Sequence, residues 1–191
     1  MYIDQEKPAH YCGVVGIFSQ TKTNIPEKLF YPLFSLQHRG QEGCGIAYRR
    51  HNRIITYKDL GMVGSVLSHY LGEEHPSYLG IGHVRYSTHG GNKIENTQPV
   101  IASCSKGELA LAHNGNISNS QAVKEKLIES GSILQSTSDT ELFLHLIARA
   151  RKTETEGFLK DTLSRLDGAF SIVMIHNETL IAARDKRGFR P

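Results

Sequence analysis

The chain has 191 residues, 39% of them hydrophobic, and its 22 basic and 19 acidic residues give a formal net charge of +3. This length and composition predict one globular domain, and they exclude a disordered or fibrous chain. The small net charge gives no support for binding to nucleic acid or to a membrane. No apolar run approaches the roughly 18 residues that a membrane span needs. We therefore expect a cytoplasmic protein.

The apolar spacing predicts strands and helices that alternate in groups. In chain order it predicts a strand over 13–18, a helix over 26–40, strands over 45–48, 53–57, 79–86 and 108–113, helices over 119–130, from 138 and over 158–166, and strands over 169–176 and 179–183. The helix that starts at 138 follows from Ser138-Asp139-Thr140-Glu141, which matches a capping box. This order favours an α+β fold, with sheets inside and helices outside, over a repeated βαβ fold.

Polar side chains interrupt the apolar strands at 37–43, 82–90, 112–116 and 138–141. In the second of these segments Arg85 follows apolar strand residues, and a buried guanidinium needs an anionic partner. That partner is either a structural carboxylate, from Asp139 or Glu42, or the carboxylate of a substrate. The residues alone leave the two interpretations open.

Two further polar features have both a structural and a functional interpretation. Asn114-Gly115 is first of all a hairpin-turn signal, but an amide beside a backbone N–H that can approach a ligand is also suited to an oxyanion hole. Asp139 is explained by the helix dipole, or it binds an ammonium group. His83, His89 and His113 lie on separate segments without metal-ligand spacing, so we expect no metal site.

The three cysteines, Cys12, Cys44 and Cys104, form no CxxC pair, which excludes a disulfide framework and a zinc site of that type. Cys12 alone is most simply a buried structural cysteine. Together with a carboxylate-binding arginine, an ammonium-binding aspartate and an oxyanion site, its thiol would complete the set of groups that hydrolysis of the glutamine side-chain amide requires. If the leader 1–11 were removed, the α-amine of Cys12 could act as the base.

Five motifs in one order resemble the class II glutamine amidotransferases, and within them the amidophosphoribosyltransferases. The motifs are Cys12-Gly13-Val14-Val15-Gly16-Ile17, Leu36-Gln37-His38-Arg39-Gly40-Gln41-Glu42, Gly82-His83-Val84-Arg85-Tyr86-Ser87-Thr88, Ala112-His113-Asn114-Gly115-Asn116 and Ser138-Asp139-Thr140-Glu141. The resemblance covers residues 12–191. Glucosamine-6-phosphate synthase and asparagine synthetase share some of these elements, but the leader and the second motif favour the amidophosphoribosyltransferases.

The resemblance implies a four-layer αββα N-terminal nucleophile hydrolase sandwich and a role for each matching residue. Cys12 would be the nucleophile after self-cleavage, with Asn114 and Gly115 as the oxyanion hole. Arg85 would bind the α-carboxylate of glutamine and Asp139 its α-amine. Minor substrate contacts would come from Thr88, Gly40 and Arg39, and Arg39 would move when the site closes.

The resemblance also implies a domain organisation. Residues 1–11 would be a propeptide and 12–191 a glutaminase domain that is incomplete at its C-terminus, without a phosphoribosyltransferase domain. We expect no cofactor in this chain, since Mg and, in some relatives, an iron–sulfur cluster belong to the remaining part of the family enzyme. The expected partners are glutamine and a phosphoribosyltransferase domain or subunit, in a homo-oligomer when full-length, with no nucleic acid and no membrane.

The implied activity is hydrolysis of glutamine to glutamate and ammonia, which would be transferred to phosphoribosyl pyrophosphate in the first step of purine nucleotide biosynthesis. Two alternatives remain. The chain could be an inactive or regulatory binding module, or it could be another N-terminal nucleophile amidohydrolase whose substrate lacks the groups that Arg85 and Asp139 would bind.

Overall fold

The computed structural model describes residues 12–86 and 93–190. Over these residues the strands are β1 (Gly13–Asn24), β2 (Gly43–Arg50), β3 (Arg53–Leu60), β4 (Pro76–Arg85), β5 (Val100–Cys104), β6 (Gly107–Ile117), β7 (Gly168–His176) and β8 (Thr179–Arg184). The helices are α1 (Ile25–Ser35), α2 (Val63–Val66), α3 (Ser120–Glu129), α4 (Thr140–Arg149) and α5 (Thr155–Ser164). The strands form two four-stranded antiparallel sheets, in the orders β1-β4-β2-β3 and β5-β6-β7-β8.

The buried apolar side chains define four layers. One cluster joins α1 to the outer face of the first sheet, a second joins α3, α4 and α5 to the outer face of the second sheet, and a third lies between the two sheets. Each sheet is therefore buried on both faces, which explains why several strands lack strict apolar and polar alternation. The predicted α+β fold, an αββα sandwich, is confirmed.

Helix α1 lies close against β4 because the sequence supplies the right residues on both elements. Ile25, Leu29 and Leu33 recur every four residues on one face of the helix, and all three are fully buried. They meet a glycine face of β4, where a Cβ added to Gly82 would lie only 2.7 Å from Leu33 Cδ1. The first sheet can thus accept a helix at short distance on its outer face.

The opposite face of β4 points into the layer between the sheets. Leu79 and Ile81 belong to the inter-sheet cluster and are fully buried. Since side chains alternate along a strand, His83 and Arg85 continue the same face toward the end of β4. The strand therefore carries polar groups into the sandwich at one end of this layer.

The element boundaries differ from the predicted ones in a few places. Strand β1 continues to Asn24 instead of ending at residue 18, and β6 continues to Ile117 instead of ending at residue 113. Strand β5 and the four-residue helix α2 were not predicted, because both are too short to show an apolar period. The long sheet-forming segments and the four longer helices were predicted from their apolar faces.

The start of α4 corrects the capping-box interpretation. The helix begins at Thr140, but its N-cap residue is Asp139 and makes no side-chain capping bond. The Glu141 carboxylate instead accepts hydrogen bonds from the backbone N–H groups of Gln135 and Ser136, at 2.7 and 2.8 Å. The carboxylate therefore orders the loop before the helix and not the helix terminus.

The predicted propeptide 1–11 and the predicted substrate contact Thr88 lie outside the described residues. Within the residues described, none of the helices has the length and apolar character needed to cross a membrane.

Candidate active site

A cleft of about 460 Å³ opens at the polar end of the sandwich. Cys12, Arg85, Gly115 and Asp139 line it together, although they belong to four separate parts of the chain. The sequence predicted each of them as a site residue, and the fold brings all four to one cavity.

Cys12 is the residue immediately before β1, which holds its backbone at the cleft. Its thiol lies 3.6 Å from the Tyr86 carbonyl oxygen, to which it donates, and its own carbonyl accepts a hydrogen bond from Arg39 Nε at 3.1 Å. Burial raises the pKa of the thiol above its ordinary value, and the positive charges of Arg85 and Arg190 oppose that rise. The thiol is thus partly desolvated, and the net effect of its surroundings is a raised pKa.

Arg85 is the last residue of β4, and only 7% of its surface is exposed. The N–H of Glu42 donates to the Arg85 carbonyl at 3.1 Å, which ties the segment before β2 to the end of β4. A Cβ added to Gly40 would lie 2.7 Å from the backbone N and C atoms of Arg85. Gly40 therefore allows this segment to pack directly on the backbone that carries Arg85.

Arg39 and Gly40 lie beside the cleft without being among the residues that line it. Arg39 reaches the carbonyl of Cys12, and Gly40 contacts the backbone of Arg85. In this structure both support the two residues that do line the cleft. Their predicted contacts with substrate stay predictions.

Asn114 and Gly115 lie inside β6, so the hairpin-turn interpretation of this pair is wrong. They are paired in the ladder with Ser171 and Phe170 of β7. Gly115 has a φ of +139°, and a Cβ at this position would overlap the Ala169 carbonyl oxygen and lie 2.7 Å from Phe170 Cα. Only glycine fits this backbone, which is kept in an otherwise regular strand at the edge of the cleft.

The Asn114 side chain is 2% exposed, and its Oδ1 atom has no hydrogen-bond partner among the described residues. A buried polar atom without a partner is costly, typically by about 1–3 kcal/mol. Such a cost is commonly tolerated where a polar group serves a ligand. The unpartnered atom is the acceptor of this amide, whereas an oxyanion donor would be its Nδ2 group, and Asn114 is not among the residues that line the cleft. Its predicted role as an oxyanion donor stays a prediction.

Asp139 closes the opposite side of the cleft. It precedes α4, and its Oδ2 atom accepts a hydrogen bond from the N–H of Ile117 at 3.2 Å. This bond connects the start of α4 to the end of β6, two residues beyond Gly115. The carboxylate is thereby fixed relative to the Asn114-Gly115 pair.

The sequence did not identify two polar side chains that help to build the cleft. Gln98 hydrogen-bonds to both backbone groups of His113, accepting from its N–H at 2.7 Å and donating to its carbonyl at 3.3 Å. Its side chain pairs with β6 at a position that β5 does not reach, because β5 begins at residue 100, opposite Leu111. Glu141 orders the loop 135–136 on the other wall. Gln98 had no local signal, because it acts on backbone distant in sequence, and the local signal of Glu141 was interpreted as part of a capping box and not as a contact to this loop.

Two buried histidines lie next to the cleft. Burial lowers the pKa of His83 to about 3, with a further contribution from His113, and lowers that of His113 to about 4, with a further contribution from the positive charge of Arg190. Both imidazoles are therefore neutral at pH 7. Over the part of the chain that the structure describes, no group of three or more histidine, cysteine, aspartate or glutamate side chains is placed to hold a metal ion.

Comparisons with known proteins show which family the chain resembles. A family model described as the glutamine amidotransferase domain matches residues 83–191. The chain is 42% identical over 182 residues to an amidophosphoribosyltransferase of Methanocaldococcus jannaschii, which covers 94% of this chain and 39% of that protein. It is 44% identical over 191 residues to the chloroplastic amidophosphoribosyltransferase 3 of Arabidopsis thaliana, which covers 99% of this chain and 35% of that protein.

A solved structure shows the same relationship. The glutamine phosphoribosylpyrophosphate amidotransferase from B. subtilis, in complex with ADP and GMP, superimposes with a TM-score of 0.83 at 39% identity, over 93% of this chain and 38% of that one. The chain thus spans 35–39% of the length of the relatives that it matches.

Proposed function

Since the chain belongs to the glutamine amidotransferase domain family, we propose that it hydrolyses the side-chain amide of glutamine to glutamate and ammonia. The observation that carries this proposal is that four groups line one cleft. They are the Cys12 thiol, the Arg85 guanidinium, the Gly115 backbone and the Asp139 carboxylate. Each of these groups has a matching part of glutamine or of its transition state.

The proposed chemistry begins at Cys12. Its sulfur attacks the amide carbon of glutamine, and its proton passes to the α-amine that Cys12 would expose on loss of 1–11. The Asn114 amide and the Gly115 N–H stabilise the negative oxygen of the tetrahedral intermediate. The α-amine then returns the proton to the leaving nitrogen, ammonia departs, and water cleaves the glutamyl thioester.

The proposed binding of the substrate uses the two charged walls of the cleft. Arg85 would bind the α-carboxylate, because its fork of N–H donors matches two carboxylate oxygens and because it is held rigidly at the end of β4. Asp139 would bind the α-amine from the start of α4. Thr88, Gly40 and Arg39 would add the smaller contacts that the sequence predicted.

The names of the relatives support a wider proposal. The ammonia would be transferred to phosphoribosyl pyrophosphate by a phosphoribosyltransferase domain or subunit, in the first step of purine nucleotide biosynthesis. This transfer partner would also carry Mg. The location in the cytoplasm and the assembly into a homo-oligomer are further parts of this proposal.

The experiment that tests the proposed function measures glutamate and ammonia released from glutamine, together with the intact mass and N-terminal sequence of the protein. We expect loss of residues 1–11 and turnover of glutamine. Cys12→Ala should abolish turnover, while Cys104→Ala, a change in the partly buried cysteine of β5, should retain it. Undiminished turnover in Cys12→Ala would refute the mechanism.

Arg85→Ala separates a glutaminase from another amidohydrolase with the same nucleophile. If glutamine is the substrate, loss of the carboxylate partner should raise KM strongly. Turnover of a different amide that is unaffected by Arg85→Ala would favour the alternative.

A further inference from the structure

The segment 36–42, which we call the brace, connects the end of α1 to the start of β2 and runs beside the cleft. It contacts two residues of the site. Arg39 Nε donates to the Cys12 carbonyl at 3.1 Å, and a Cβ added to Gly40 would lie 2.7 Å from backbone atoms of Arg85. The position of the brace therefore affects the backbone of both Cys12 and Arg85, which line the cleft.

The side chain of Gln37 fastens the brace to the start of α2. Its Oε1 atom accepts a hydrogen bond from the Val63 N–H at 2.6 Å, and its Nε2 atom donates to the Gly40 carbonyl. Both partners agree with one orientation of the amide, since an N–H needs an acceptor and a carbonyl needs a donor. Val63 is fully buried in the cluster on the outer face of the first sheet, so α2 is a firm anchor. Gln37 itself is not among the residues that line the cleft.

Backbone hydrogen bonds hold the end of the brace that lies next to Arg85. The Glu42 N–H donates to the Arg85 carbonyl at 3.1 Å, and the Gly61 N–H donates to the Glu42 carbonyl at 2.9 Å. Neither bond involves the Gln37 side chain. Loss of that side chain should therefore leave Arg85 in place.

The end of the brace that lies next to Cys12 is held in a different way. It is a tight turn, in which the Arg39 N–H donates to the Leu36 carbonyl at 2.8 Å. The Gly40 N–H donates to the Gln37 carbonyl at 3.1 Å in the same turn. The turn is thus one unit that carries Arg39 to the Cys12 carbonyl, and the Gln37 amide ties this unit to α2.

We propose that Gln37 is a positioning residue that acts through Arg39 on Cys12. This inference rests on the proposed function for its meaning in catalysis. In the processed chain that the proposed function requires, Cys12 is the terminal residue, and its backbone continues only into β1. The contact from Arg39 then fixes the carbonyl that adjoins both the nucleophile and the α-amine. A small displacement of these reacting groups lowers the rate of the chemical step.

The test is a double-mutant cycle on Gln37 and Arg39 in the full-length protein. Gln37→Met removes both hydrogen bonds of the amide at similar size, and Arg39→Met removes the contact with the Cys12 carbonyl. One readout is kcat and KM for glutamine. The other is the rate at which iodoacetamide alkylates Cys12 without glutamine, followed by mass spectrometry of the peptide that contains it. Gln41→Met changes an exposed glutamine of the brace and is the matched control.

Gln37→Met should lower kcat by about threefold to tenfold, which corresponds to the loss of one or two hydrogen bonds. KM should stay within about twofold, because the end of the brace next to Arg85 keeps its backbone bonds. Alkylation should become about threefold faster, since the partly buried Cys12 thiol becomes more accessible when its backbone is released. When Arg39→Met is already present, Gln37→Met should add little to either effect.

Additive effects of the two substitutions on the alkylation rate would overturn the proposal, since Gln37 would then act independently of Arg39. So would an unchanged kcat in Gln37→Met, or a rise in its KM at constant kcat. Gln41→Met should match the unmodified protein in both readouts. If Gln37→Met does not fold, Gln37→Glu provides the same cycle, because it keeps the acceptor for the Val63 N–H and loses the donor to Gly40.

The outcome is separable from that of the proposed function, because alkylation reports on Cys12 without any turnover of glutamine. A faster, non-additive alkylation in a protein that does not hydrolyse glutamine would support the role of Gln37 and contradict the glutaminase. Turnover of glutamine with identical constants in Gln37→Met and the unmodified protein would contradict the role of Gln37 and support the glutaminase.

Discussion

The layer between the two sheets has an apolar end and a polar end, and the same strands build both. At the apolar end, small and branched side chains from both sheets are packed together: Ala47, Ile54, Leu79, Ile81, Ala110, Ala112, Val173 and Ile175. At the polar end the same face of β4 carries His83 and Arg85, and the same face of β6 carries Asn114. Both ends are almost equally buried, yet only one of them is packed as a core.

The difference teaches where this fold gives up stability. Along one face of β4 the side chains change from Leu79 and Ile81 to His83 and Arg85. The backbone remains a strand and these residues remain buried throughout. Apolar residues at these positions would stabilise the sandwich, since burial of a polar group without full hydrogen bonding costs free energy. Polar residues in this half of the layer are therefore best explained by the cleft that they surround.

The largest expected effect comes from breaking the apolar end. Leu79→Ala should lower the free energy of unfolding by about 2–5 kcal/mol, because it removes a fully buried side chain and leaves a cavity between the sheets. Urea unfolding measures this change. The exposed neighbour Tyr78 is the control, and Tyr78→Ala should cost less than about 1 kcal/mol. The fraction of Leu79→Ala that stays folded should keep the kcat of the unmodified protein. A lower kcat in that folded fraction would mean that the apolar and polar ends of the layer are not independent.

Asn114→Ala changes the polar end, where we expect an effect on activity and not on stability. Loss of an oxyanion donor should lower kcat by about 10²- to 10³-fold, which is about 2.7–4 kcal/mol of activation free energy. The unfolding free energy should change little, since Oδ1 of this side chain has no partner among the described residues that would be lost. Steady-state kinetics and urea unfolding of the same sample check both parts. A change confined to KM would assign the amide to ground-state binding.

The fold could be predicted in outline because its signal is local. The apolar faces of α1 and α4 and the buried strands are visible as spacing in the sequence. The pairing of β1 with β4, and of β6 with β7, is not, because register depends on contacts between segments far apart in the chain. The order of strands in each sheet therefore came from the structure.

The candidate site was predictable where a residue type was unusual for its surroundings, as with Arg85 in an apolar strand. It was not predictable where an ordinary residue acquires its place from the fold. Arg190 reads in the sequence as one of several basic residues near the end of the chain. Its backbone is held against β7 by the hydrogen bond from Ser171 Oγ to its carbonyl, next to a loop that the Asp185 carboxylate orders, and neither contact has a sequence signature.

The two neutral histidines predict how the polar end responds to acid. An imidazole has an ordinary pKa near 6.5, and burial lowers the pKa of His83 to about 3 and that of His113 to about 4. Between these values the unfolded chain binds protons that the folded chain does not, so stability falls as the pH falls. The expected loss is about 1.4 kcal/mol per pH unit for each histidine.

Urea unfolding at several pH values between about 6 and 4.5 tests this window. His113→Gln should reduce the slope of stability against pH by about 1.4 kcal/mol per pH unit. The charged groups that lower the pKa values of these imidazoles further are Arg85, Lys58 and Arg190. The exposed His51, whose φ of 53° suits asparagine, supplies the control His51→Asn. An equal slope in His113→Gln and in the unmodified protein would contradict the prediction.

The smallest expected effect concerns the wall of the cleft that carries Asp139. The Glu141 carboxylate holds the preceding loop through three hydrogen bonds, from Gln135 N–H, Ser136 N–H and Ser136 Oγ. Burial would raise its pKa, but these bonds outweigh that effect and lower it. Glu141→Gln replaces one accepting oxygen by a donor, so the loop that leads into Asp139 should loosen.

If Asp139 binds the α-amine of glutamine, this loosening should raise KM by about fivefold, equivalent to about 1 kcal/mol, and leave kcat unchanged. Glu125→Gln, an exposed change on α3, is the matched control and should leave both constants as they are. A fall in kcat at constant KM would show that the loop acts on the reacting atoms. In that case the polar end could not be divided into a binding wall at α4 and a reacting wall at β6.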